Sequence, residues 1–212
     1  MAPTWIFDLD DTLHNASHAV FPRINQLMTQ YIMRHLGLTE VAARALHNEY
    51  YHRYGNTMLG MLRHHQVDPD QFLRETHPSS ELLPLLRWDH RVGAILNQLP
   101  GEKFLLSNGS QAYVEKVVHH LAILRHFRAL YGVERVDYLP KPNPHPMLTV
   151  CAHARRDPSD CIMVEDNLDN LRTAKSLGMR TVWVSRAPRR PGYVDVRIAS
   201  LRELPRVLWH SH

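Results

Sequence analysis

Three carboxylates follow the first apolar run of this chain within four positions. The run at residues 5–7 leads into Asp8, and Asp10 and Asp11 come two and three residues later. Carboxylates this close repel one another and resist removal from water, so a buried position favours a compensating cation. A hard divalent ion with oxygen ligands suits such a group. If the chain turns after a strand, Asp8 and Asp10 converge on one ion, where one acts as a nucleophile and the other transfers protons.

The same residues have a purely structural alternative. An Asp-rich segment after an apolar run is also typical of a loop or of the N-terminus of a helix, because Asp caps helices and favours turns. The pattern Asp8-x-Asp10-x-Thr12 does not distinguish the two readings by itself. The choice depends on the elements that position these residues.

Strands and helices alternate beyond residue 100. Apolar runs predict strands at 103–106, 161–164 and 180–184 and a weaker one at 130–133, and helical spacing predicts helices at 111–121 and 168–177, the latter ended by Gly178. Alternation of this kind indicates right-handed crossovers and a parallel sheet covered on both faces. We therefore expect an α/β fold with a Rossmann-like parallel-sheet core and helices on both faces.

The segment between the first and second strands has a different pattern. Residues 20–36 place apolar side chains on one helical face, and a second helix is predicted at 39–54 with Thr39 as its N-cap. We expect residues 17–88 to form an inserted all-helical cap, and residues 1–16 and 89–212 to form the catalytic core. An insert at this point lies over the carboxyl ends of the strands, where ligands bind in open parallel sheets, and forms a lid.

Polar residues recur at the predicted strand ends. Asp8 and Asp10 follow the first strand, Ser107 follows the second, and Glu165 and Asp166 follow the fourth. Each of these three groups, taken alone, is common in turns and helix caps. Their repetition at one edge of one sheet favours a single functional site.

Lys141 lies in a proline-rich segment, Leu-Pro-Lys-Pro-Asn-Pro, at residues 139–144. The prolines stiffen the backbone, so less conformational freedom is lost when the ammonium meets an anion. Taken alone, such a lysine is usually solvated. Beside the acidic strand ends it suits a counter-charge for an aspartate and a phosphate.

Composition excludes several classes of protein. The 212 residues are 44% apolar and 22% charged with a formal charge of +4, which is ordinary for a globular protein and does not indicate a nucleic-acid platform. Cys151 and Cys161 lie in apolar segments, which favours a reducing compartment.

No apolar run approaches membrane-spanning length and no signal segment is apparent, so we expect a soluble, cytoplasmic protein. Most of the 16 histidines, including the tail residues His210 and His212, are expected at the surface.

Taken together, the strand-end residues resemble the four motifs of the haloacid dehalogenase-like phosphohydrolases. The match consists of Asp8-x-Asp10-x-Thr12, Ser107, Lys141, and Glu165-Asp166 with Asn170 four residues on, and it covers nearly the whole chain. A helical insert between the first and second motifs is similar to the type 1 cap of that family. Glu165 stands where many relatives have Gly, and its role stays open between the water shell of a metal and a local acceptor.

The resemblance implies a mechanism with defined roles. It makes Asp8 the nucleophile that forms an aspartyl-phosphate and Asp10 the acid and base, with Mg²⁺ held by the side chains of Asp8 and Asp166 and the backbone carbonyl of Asp10. Ser107, Lys141 and the backbone N–H groups of Asn108 and Gly109 would bind the phosphate. Thr12 would orient the first loop, and Asn170 would steady the segment around Asp166.

A narrower resemblance concerns the substrate. The cap segment at 48–55, followed by Gly60, and the segment at 201–205 look like the pyrimidine 5'-nucleotidase branch, with Tyr51 and Tyr54 as candidates for substrate selection, although aromatic residues at helical spacing also pack cores. UMP and CMP are then the expected small-molecule substrates of a monomer or homodimer.

Other substrates and another class stay open at this point. A sugar phosphate, phosphoglycolate or nicotinamide mononucleotide would suit the same site, and a catalytically silent binding or regulatory module is the non-enzyme alternative. A dehalogenase is disfavoured because Asp10 and Asp166 suit magnesium and phosphate.

Overall fold

A computed structural model describes residues 2–207 and shows a six-stranded parallel sheet within them. The tail residues His210 and His212 lie outside the described residues. The strands are β1 Thr4–Phe7, β2 Lys103–Leu106, β3 Ala129–Tyr131, β4 Cys161–Glu165, β5 Arg180–Val184 and β6 Val196–Ile198. The helices are α1 Val20–Leu36, α2 Glu40–Tyr54, α3 Thr57–His65, α4 Pro69–Thr76, α5 Ser79–Leu82, α6 Val92–Gln98, α7 Gln111–His120, α8 Pro144–Ala154 and α9 Leu168–Ser176.

The sheet has the order β3-β2-β1-β4-β5-β6, with every neighbouring pair parallel. β1 lies at the centre, where Ile6 is in register with Phe104 on one side and Met163 on the other. Every residue of β1, β2 and β4 is buried, as expected for parallel strands that are covered on both faces.

Alternate residues of β1 contribute to different apolar layers. Trp5 and Phe7 pack with side chains from α6 and α7, whereas Ile6 packs with side chains from α8 and α9. The period of two along a strand places successive side chains on opposite faces. The predicted Rossmann-like α/β fold with helices on both faces is confirmed.

Two details of the sheet differ from the sequence predictions. β3 begins one residue earlier than the predicted strand and ends two residues earlier. β6 was not predicted, because its three residues, Val196 to Ile198, enclose an arginine and form no apolar run. This strand pairs only with β5, at the edge of the sheet, where a short strand needs little apolar surface.

The segment between β1 and β2 is helical, as its pattern predicts. α1 spans the predicted residues, and the Thr39 hydroxyl accepts a hydrogen bond from Ala42 N–H at the start of α2. α1 to α4 share an apolar cluster that includes Tyr31, Met61 and Phe72. Leu82 at the end of α5 belongs instead to the layer that covers β1. The division of the chain into a cap at 17–88 and a core stays a proposal.

Two further observations bear on the sequence expectations. Cys151 and Cys161 are both buried and free, with their sulfur atoms 3.6 Å apart. Among residues 2–207, every helix is too short or too polar to cross a bilayer.

Candidate active site

The carboxyl ends of four neighbouring strands bring the polar motifs together. Asp8 follows β1, Ser107 follows β2, Glu165 ends β4, and the segment after β3 supplies Lys141. The N–H groups of Asp8 and Ser107 still bond to the adjacent strands β4 and β3, at 3.0 and 2.9 Å. These side chains therefore emerge at one edge of the sheet, which is where ligands bind in open α/β folds.

Lys141 joins two of the acidic residues. Its Nζ lies 2.7 Å from Asp8 Oδ1 and 2.7 Å from Glu165 Oε2, and the lysine side chain is 1% exposed. Burial alone lowers the pKa of Lys141, but the charges of Asp8 and Glu165 outweigh it and raise the pKa above its ordinary value. The ammonium is therefore a fixed positive charge against Asp8.

Asn108 holds the backbone of Lys141 in place. Its Oδ1 accepts from Lys141 N–H at 2.8 Å, and its Nδ2 donates to the Lys141 carbonyl at 2.9 Å. A carboxamide that bonds both groups of one residue fixes that residue closely. Asn108 thus connects the end of β2 with the Lys141 segment through its side chain.

Both oxygens of Glu165 are already occupied. Oε2 accepts from Lys141 Nζ and from Asn170 Nδ2 at 3.0 Å, and Oε1 accepts from the N–H groups of Asp166 and Asn167, each at 3.1 Å. Burial raises the pKa of Glu165, but the Lys141 charge and hydrogen bonds with the Asp166 side chain, Lys141 and the Asn167 N–H bring it below its ordinary value. Glu165 therefore resembles a local acceptor, and Asn170 contacts Glu165 rather than Asp166.

The acidic group fits a divalent cation. Ligand oxygens of Asp8, Glu165 and Asp166 lie within 4.8 Å of one another, and Asp8 Oδ2 is buried with no hydrogen-bond partner among the described residues. Burial, followed by the charge of Glu165, raises the pKa of Asp8; burial, followed by the charge of Asp8, raises that of Asp166. A hard cation would relieve this repulsion, and Asp8 Oδ2 with the neighbouring Asp166 carboxylate would supply oxygen ligands to it.

Asp10 lies beside this group and has different partners. Its Oδ1 accepts from the Tyr113 hydroxyl at 2.7 Å and contacts His14 Nε2 at 3.0 Å, and its Oδ2 accepts from Ser107 Oγ at 3.3 Å. Burial raises the pKa of Asp10, but the bonds from His14 and Tyr113 outweigh burial and lower it below the ordinary value. Burial, followed by the Asp10 charge, raises the pKa of Tyr113 well above normal, so its hydroxyl stays a donor.

Asp11 shapes the turn that carries the first motif. It adopts a left-handed conformation with φ 62°, which Asp tolerates better than most residues. Its carboxylate accepts from Ser17 N–H at 2.8 Å and also from the Ser17 hydroxyl. Asp11 therefore connects the strand-end turn to the segment that enters α1.

The remaining predicted residues of the core lie in the same place. The hydroxyl of Thr12 is buried and has no partner among the described residues, so this group does not bond Asp10. The N–H of Gly109 donates to Ser107 Oγ at 3.0 Å, which fixes the serine hydroxyl. Whether these groups contact a phosphate stays a prediction.

A cavity of about 590 Å³ lies between the strand ends and the helices α1 to α3. Its floor includes Asp8, Asp10, Asn108, Lys141 and Asp166, and its upper wall includes Phe21, Ile24, Met28, His47, Tyr51, His52, Asn56 and Thr57. A volume of this order accommodates a nucleotide-sized or smaller ligand.

Of the two cap tyrosines suggested by sequence, one lines this cavity. Tyr51 is part of the wall and is 53% exposed. Tyr54 lies outside the lining, with its hydroxyl 2.7 Å from His64 Nε2 and the Arg63 guanidinium 4.9 Å from its ring centre. Aromatic spacing favours core packing for both Tyr50 and Tyr51; Tyr50 is buried, whereas Tyr51 is not.

His14 and Tyr113 were missed as site residues by sequence reasoning. Most histidines were expected at the surface, yet His14 is 4% exposed. Its spacing of four residues from Asp10 was the available signal. Tyr113 was assigned to the apolar face of a helix, which is correct for its ring, but the sequence gives no sign that its hydroxyl reaches a residue 103 positions away.

Comparison with known proteins agrees with this geometry. A family model described as haloacid dehalogenase-like hydrolase matches residues 5–184. Phosphate metabolism protein 8 of Saccharomyces cerevisiae is 23% identical over 192 residues, covering 82% of this chain and 59% of that protein. Hexitol phosphatase B of Escherichia coli is 33% identical over 95 residues, covering 43% of this chain and 42% of that protein. The chain thus spans less than two thirds of either relative.

Solved structures are similar over almost the whole chain. A HAD phosphatase from Thermococcus onnurineus superposes with a TM-score of 0.70 at 21% identity and 97% coverage of both chains. L-2-haloacid dehalogenase from Xanthobacter autotrophicus, with chloropropionic acid covalently bound, superposes with a TM-score of 0.62 at 19% identity, covering 97% of this chain and 98% of the other. At such identities the similarity establishes the fold alone.

Proposed function

The chain belongs to the haloacid dehalogenase-like hydrolase family, and from this we propose that it is a magnesium-dependent phosphatase of small phosphomonoesters, with UMP and CMP as preferred substrates. One observation carries the proposal. Asp8 has one carboxylate oxygen on Lys141 and the other unpartnered, next to Asp166 and beneath a cavity. A buried carboxylate with a lone pair available at a cation-binding edge suits a nucleophile.

The proposed reaction has two displacements. In the first, Asp8 attacks phosphorus, a bond forms between its carboxylate and phosphorus, and the ester P–O bond breaks while Asp10 gives a proton to the leaving oxygen. In the second, water attacks the aspartyl-phosphate, Asp10 takes the proton of the water, and the Asp8–phosphorus bond breaks. The sum is hydrolysis of one ester to an alcohol and phosphate.

The surrounding groups stabilise charge on the transferring phosphoryl group. The Lys141 ammonium is fixed beside Asp8, and the Ser107 hydroxyl is oriented by Gly109 N–H. Phosphoryl transfer is accelerated mainly by such prepositioned donors and charges. Mg²⁺ held by Asp8 and Asp166, with the Asp10 carbonyl as a further ligand, would neutralise part of the phosphate charge.

Curated relatives support a phosphate ester as the substrate. The name of hexitol phosphatase B describes a phosphatase, and a bifunctional riboflavin kinase/FMN phosphatase of Arabidopsis thaliana is 29% identical over 86 residues, covering 40% of this chain and 22% of that protein. The dehalogenase reading is less well supported, because the acidic group of Asp8, Glu165 and Asp166 leaves buried charge that a cation must balance.

The cavity supports a leaving group with both an apolar face and hydrogen-bonding edges. Phe21, Ile24 and Met28 of α1 supply the apolar wall. Asn56 is the N-cap of α3 but makes no capping bond through its side chain, and its Oδ1 is buried without a partner among the described residues. An unused carboxamide in a cavity wall suits recognition of a nucleobase edge.

A panel of phosphomonoesters tests the proposal. We expect phosphate release in Mg²⁺ with the highest specificity constants for UMP and CMP, loss of activity with chelator, and loss in Asp8→Asn. Sugar phosphates, phosphoglycolate and nicotinamide mononucleotide in the same panel test the alternative leaving groups. Activity of Asp8→Asn near the parent level would refute the nucleophile, and metal-independent chloride release from 2-chloropropionate would indicate a dehalogenase instead.

Asn56 gives a second, narrower test of the substrate. Asn56→Ala should lower the specificity constant for CMP by about 10-fold or more and leave that for a small sugar phosphate nearly unchanged, because only the base would meet the carboxamide. Asn25→Ala, a substitution in the same cavity lining on α1, is the matched control. Equal losses on both substrates in Asn56→Ala would contradict base recognition.

A further inference from the structure

The carboxylate of Asp10 is held asymmetrically. Two groups, the Tyr113 hydroxyl and His14 Nε2, contact Oδ1 at 2.7 and 3.0 Å. Within residues 2–207, Oδ2 receives only the longer contact of 3.3 Å from Ser107 Oγ. Oδ1 is therefore anchored by two contacts, whereas Oδ2 is more weakly held and can bond another group.

We propose that Tyr113 and His14 are positioning residues, which fix Oδ1 of Asp10 so that Oδ2 exchanges the proton with the leaving oxygen and then with water. The inference rests on the proposed function, in which Asp10 is the acid and base. The proton balance is unchanged: Oδ2, which is protonated when the negatively charged ester is bound beside it, gives its proton to the ester oxygen in the first displacement and regains one from water in the second. Tyr113 and His14 keep their own protons throughout.

The ring of Tyr113 packs against Gly109, which has no side chain to occupy the same space. A Cβ on Gly109 would lie 2.8 Å from Tyr113 Cδ1, a distance that real Cβ atoms essentially never show. Tyr113 is 1% exposed and lies in the first turn of α7, where Ser110 Oγ accepts from its N–H at 3.2 Å. The loop that supplies Ser107 thus also fixes the tyrosine, and the buried hydroxyl finds its partner in Asp10.

The Nε2 atom of His14 lies 3.0 Å from Asp10 Oδ1 and 3.4 Å from the Tyr113 hydroxyl. A carboxylate only accepts hydrogen bonds, so Nε2 carries the hydrogen toward Asp10. Nδ1 is buried and has no partner among the described residues. Burying a polar ring atom without a partner costs free energy. The bond from Nε2 to Asp10 is the contact of this ring that bears on the proposed chemistry.

The hydroxyl of Thr12 does not orient the Asp10 carboxylate. The resemblance assigns Thr12 to the orientation of the first loop, but its hydroxyl has no partner among residues 2–207. The bonds that orient the carboxylate come instead from His14, four residues along the same segment, and from Tyr113 on another helix. Loss of either donor should leave the carboxylate in place but free to rotate.

A rotating Asp10 should affect poor leaving groups most. Phenyl phosphate needs protonation of its leaving oxygen more than p-nitrophenyl phosphate does, and the two esters have similar shapes. Misplacement of a catalytic group by about 1 Å costs about 100-fold. We therefore expect Tyr113→Phe to lower kcat/KM for phenyl phosphate by about 10- to 100-fold and that for p-nitrophenyl phosphate by much less.

The control and the conservative variants complete the experiment, carried out on the full chain with Mg²⁺. Tyr131→Phe removes the hydroxyl of another buried tyrosine, which contacts His153 Nδ1 at 2.8 Å. This variant should leave the ratio of the kcat/KM values for the two esters unchanged. His14→Gln, whose amide still donates, should retain more of the ratio than His14→Leu. Asp10→Asn gives the largest change in the ratio that the assay can show.

The outcomes separate this inference from the function on which it rests. A parent protein that releases phosphate from neither ester and from none of the phosphomonoesters in the panel refutes the proposed phosphatase. An active parent in which Tyr113→Phe and His14→Leu leave the ratio unchanged, or lower both substrates equally, refutes the positioning role alone. A selective loss on phenyl phosphate, absent in Tyr131→Phe, supports it.

Discussion

Replacement of Lys141 by methionine should destabilise the protein strongly. The ammonium lies 2.7 Å from a carboxylate oxygen of Asp8 and 2.7 Å from one of Glu165, and the three side chains are 1%, 8% and 1% exposed in the order Lys141, Asp8, Glu165. Methionine keeps most of the length and the apolar stem but removes the charge. Two carboxylates then remain in a nearly dry site without their counter-ion.

The magnitude follows from the burial of this ion pair. Removal of one partner of a buried pair costs about 3–5 kcal/mol, because an uncompensated charge stays behind. For a chain of this size, 1 kcal/mol corresponds to about 2–4 °C in Tm, so we expect a decrease of about 6–20 °C. An exposed pair gives the contrast. Lys175 Nζ lies 2.7 Å from Asp195 Oδ1 with side chains 39% and 35% exposed, and Lys175→Met should cost no more than about 1 kcal/mol.

Urea unfolding in chelator, followed by circular dichroism, measures both variants without metal. The double variant Lys141→Met/Glu165→Gln should lose less stability than the sum of the two single variants, since Gln removes one of the stranded charges. A loss below about 1 kcal/mol in Lys141→Met, or additive losses in the double variant, would refute the view that Lys141 balances buried carboxylates.

The acidic group and two histidines lead to further expectations. Mg²⁺ should stabilise the folded state by about 2.7 kcal/mol at 100 times Kd, because it binds only that state, and should therefore raise Tm. Without metal, Asp166→Asn should melt above the parent because it removes the repulsion with Asp8. Scanning calorimetry checks both expectations, and a lower Tm for the variant would contradict the second. Burial lowers the pKa of His47, and it lowers that of His77 to about 4. At these two histidines the unfolded chain binds more protons than the folded protein below about pH 6.5, so their contribution to the free energy of unfolding falls as pH decreases toward 4, whereas the raised pKa values of Asp8 and Asp166 act in the opposite direction. Urea titrations should therefore show the free energy of unfolding of His77→Asn rising relative to that of the parent as pH decreases over this range. Tyr51→Ala should change KM for UMP more than Tyr54→Ala does, because only Tyr51 lines the cavity; equal effects in steady-state assays would contradict this.

Local sequence patterns were sufficient to predict the strands and helices that position the site residues. The segments 4–7, 103–106 and 161–165 each contain an apolar run that must be buried and therefore form strands, and their alternation with helices allows few topologies. In a parallel sheet the polar residues after such strands meet at one edge. The sequence by itself therefore determined the fold, the placement of Asp8, Ser107 and Asp166, and the family.

Tertiary packing decided what each of these side chains contacts. The sequence leaves two roles open for Glu165, and the four donors around it in the structure favour a local acceptor. The bonds from the Asn108 carboxamide to the backbone of Lys141 have no sign in the sequence. The bond from Lys141 to Asp8 spans 133 positions and that from Tyr113 to Asp10 spans 103. Contacts at such separations depend on the angle and register at which whole elements pack, and hydrophobic periodicity does not encode which hydroxyl or amide then lies within 3 Å of a given carboxylate.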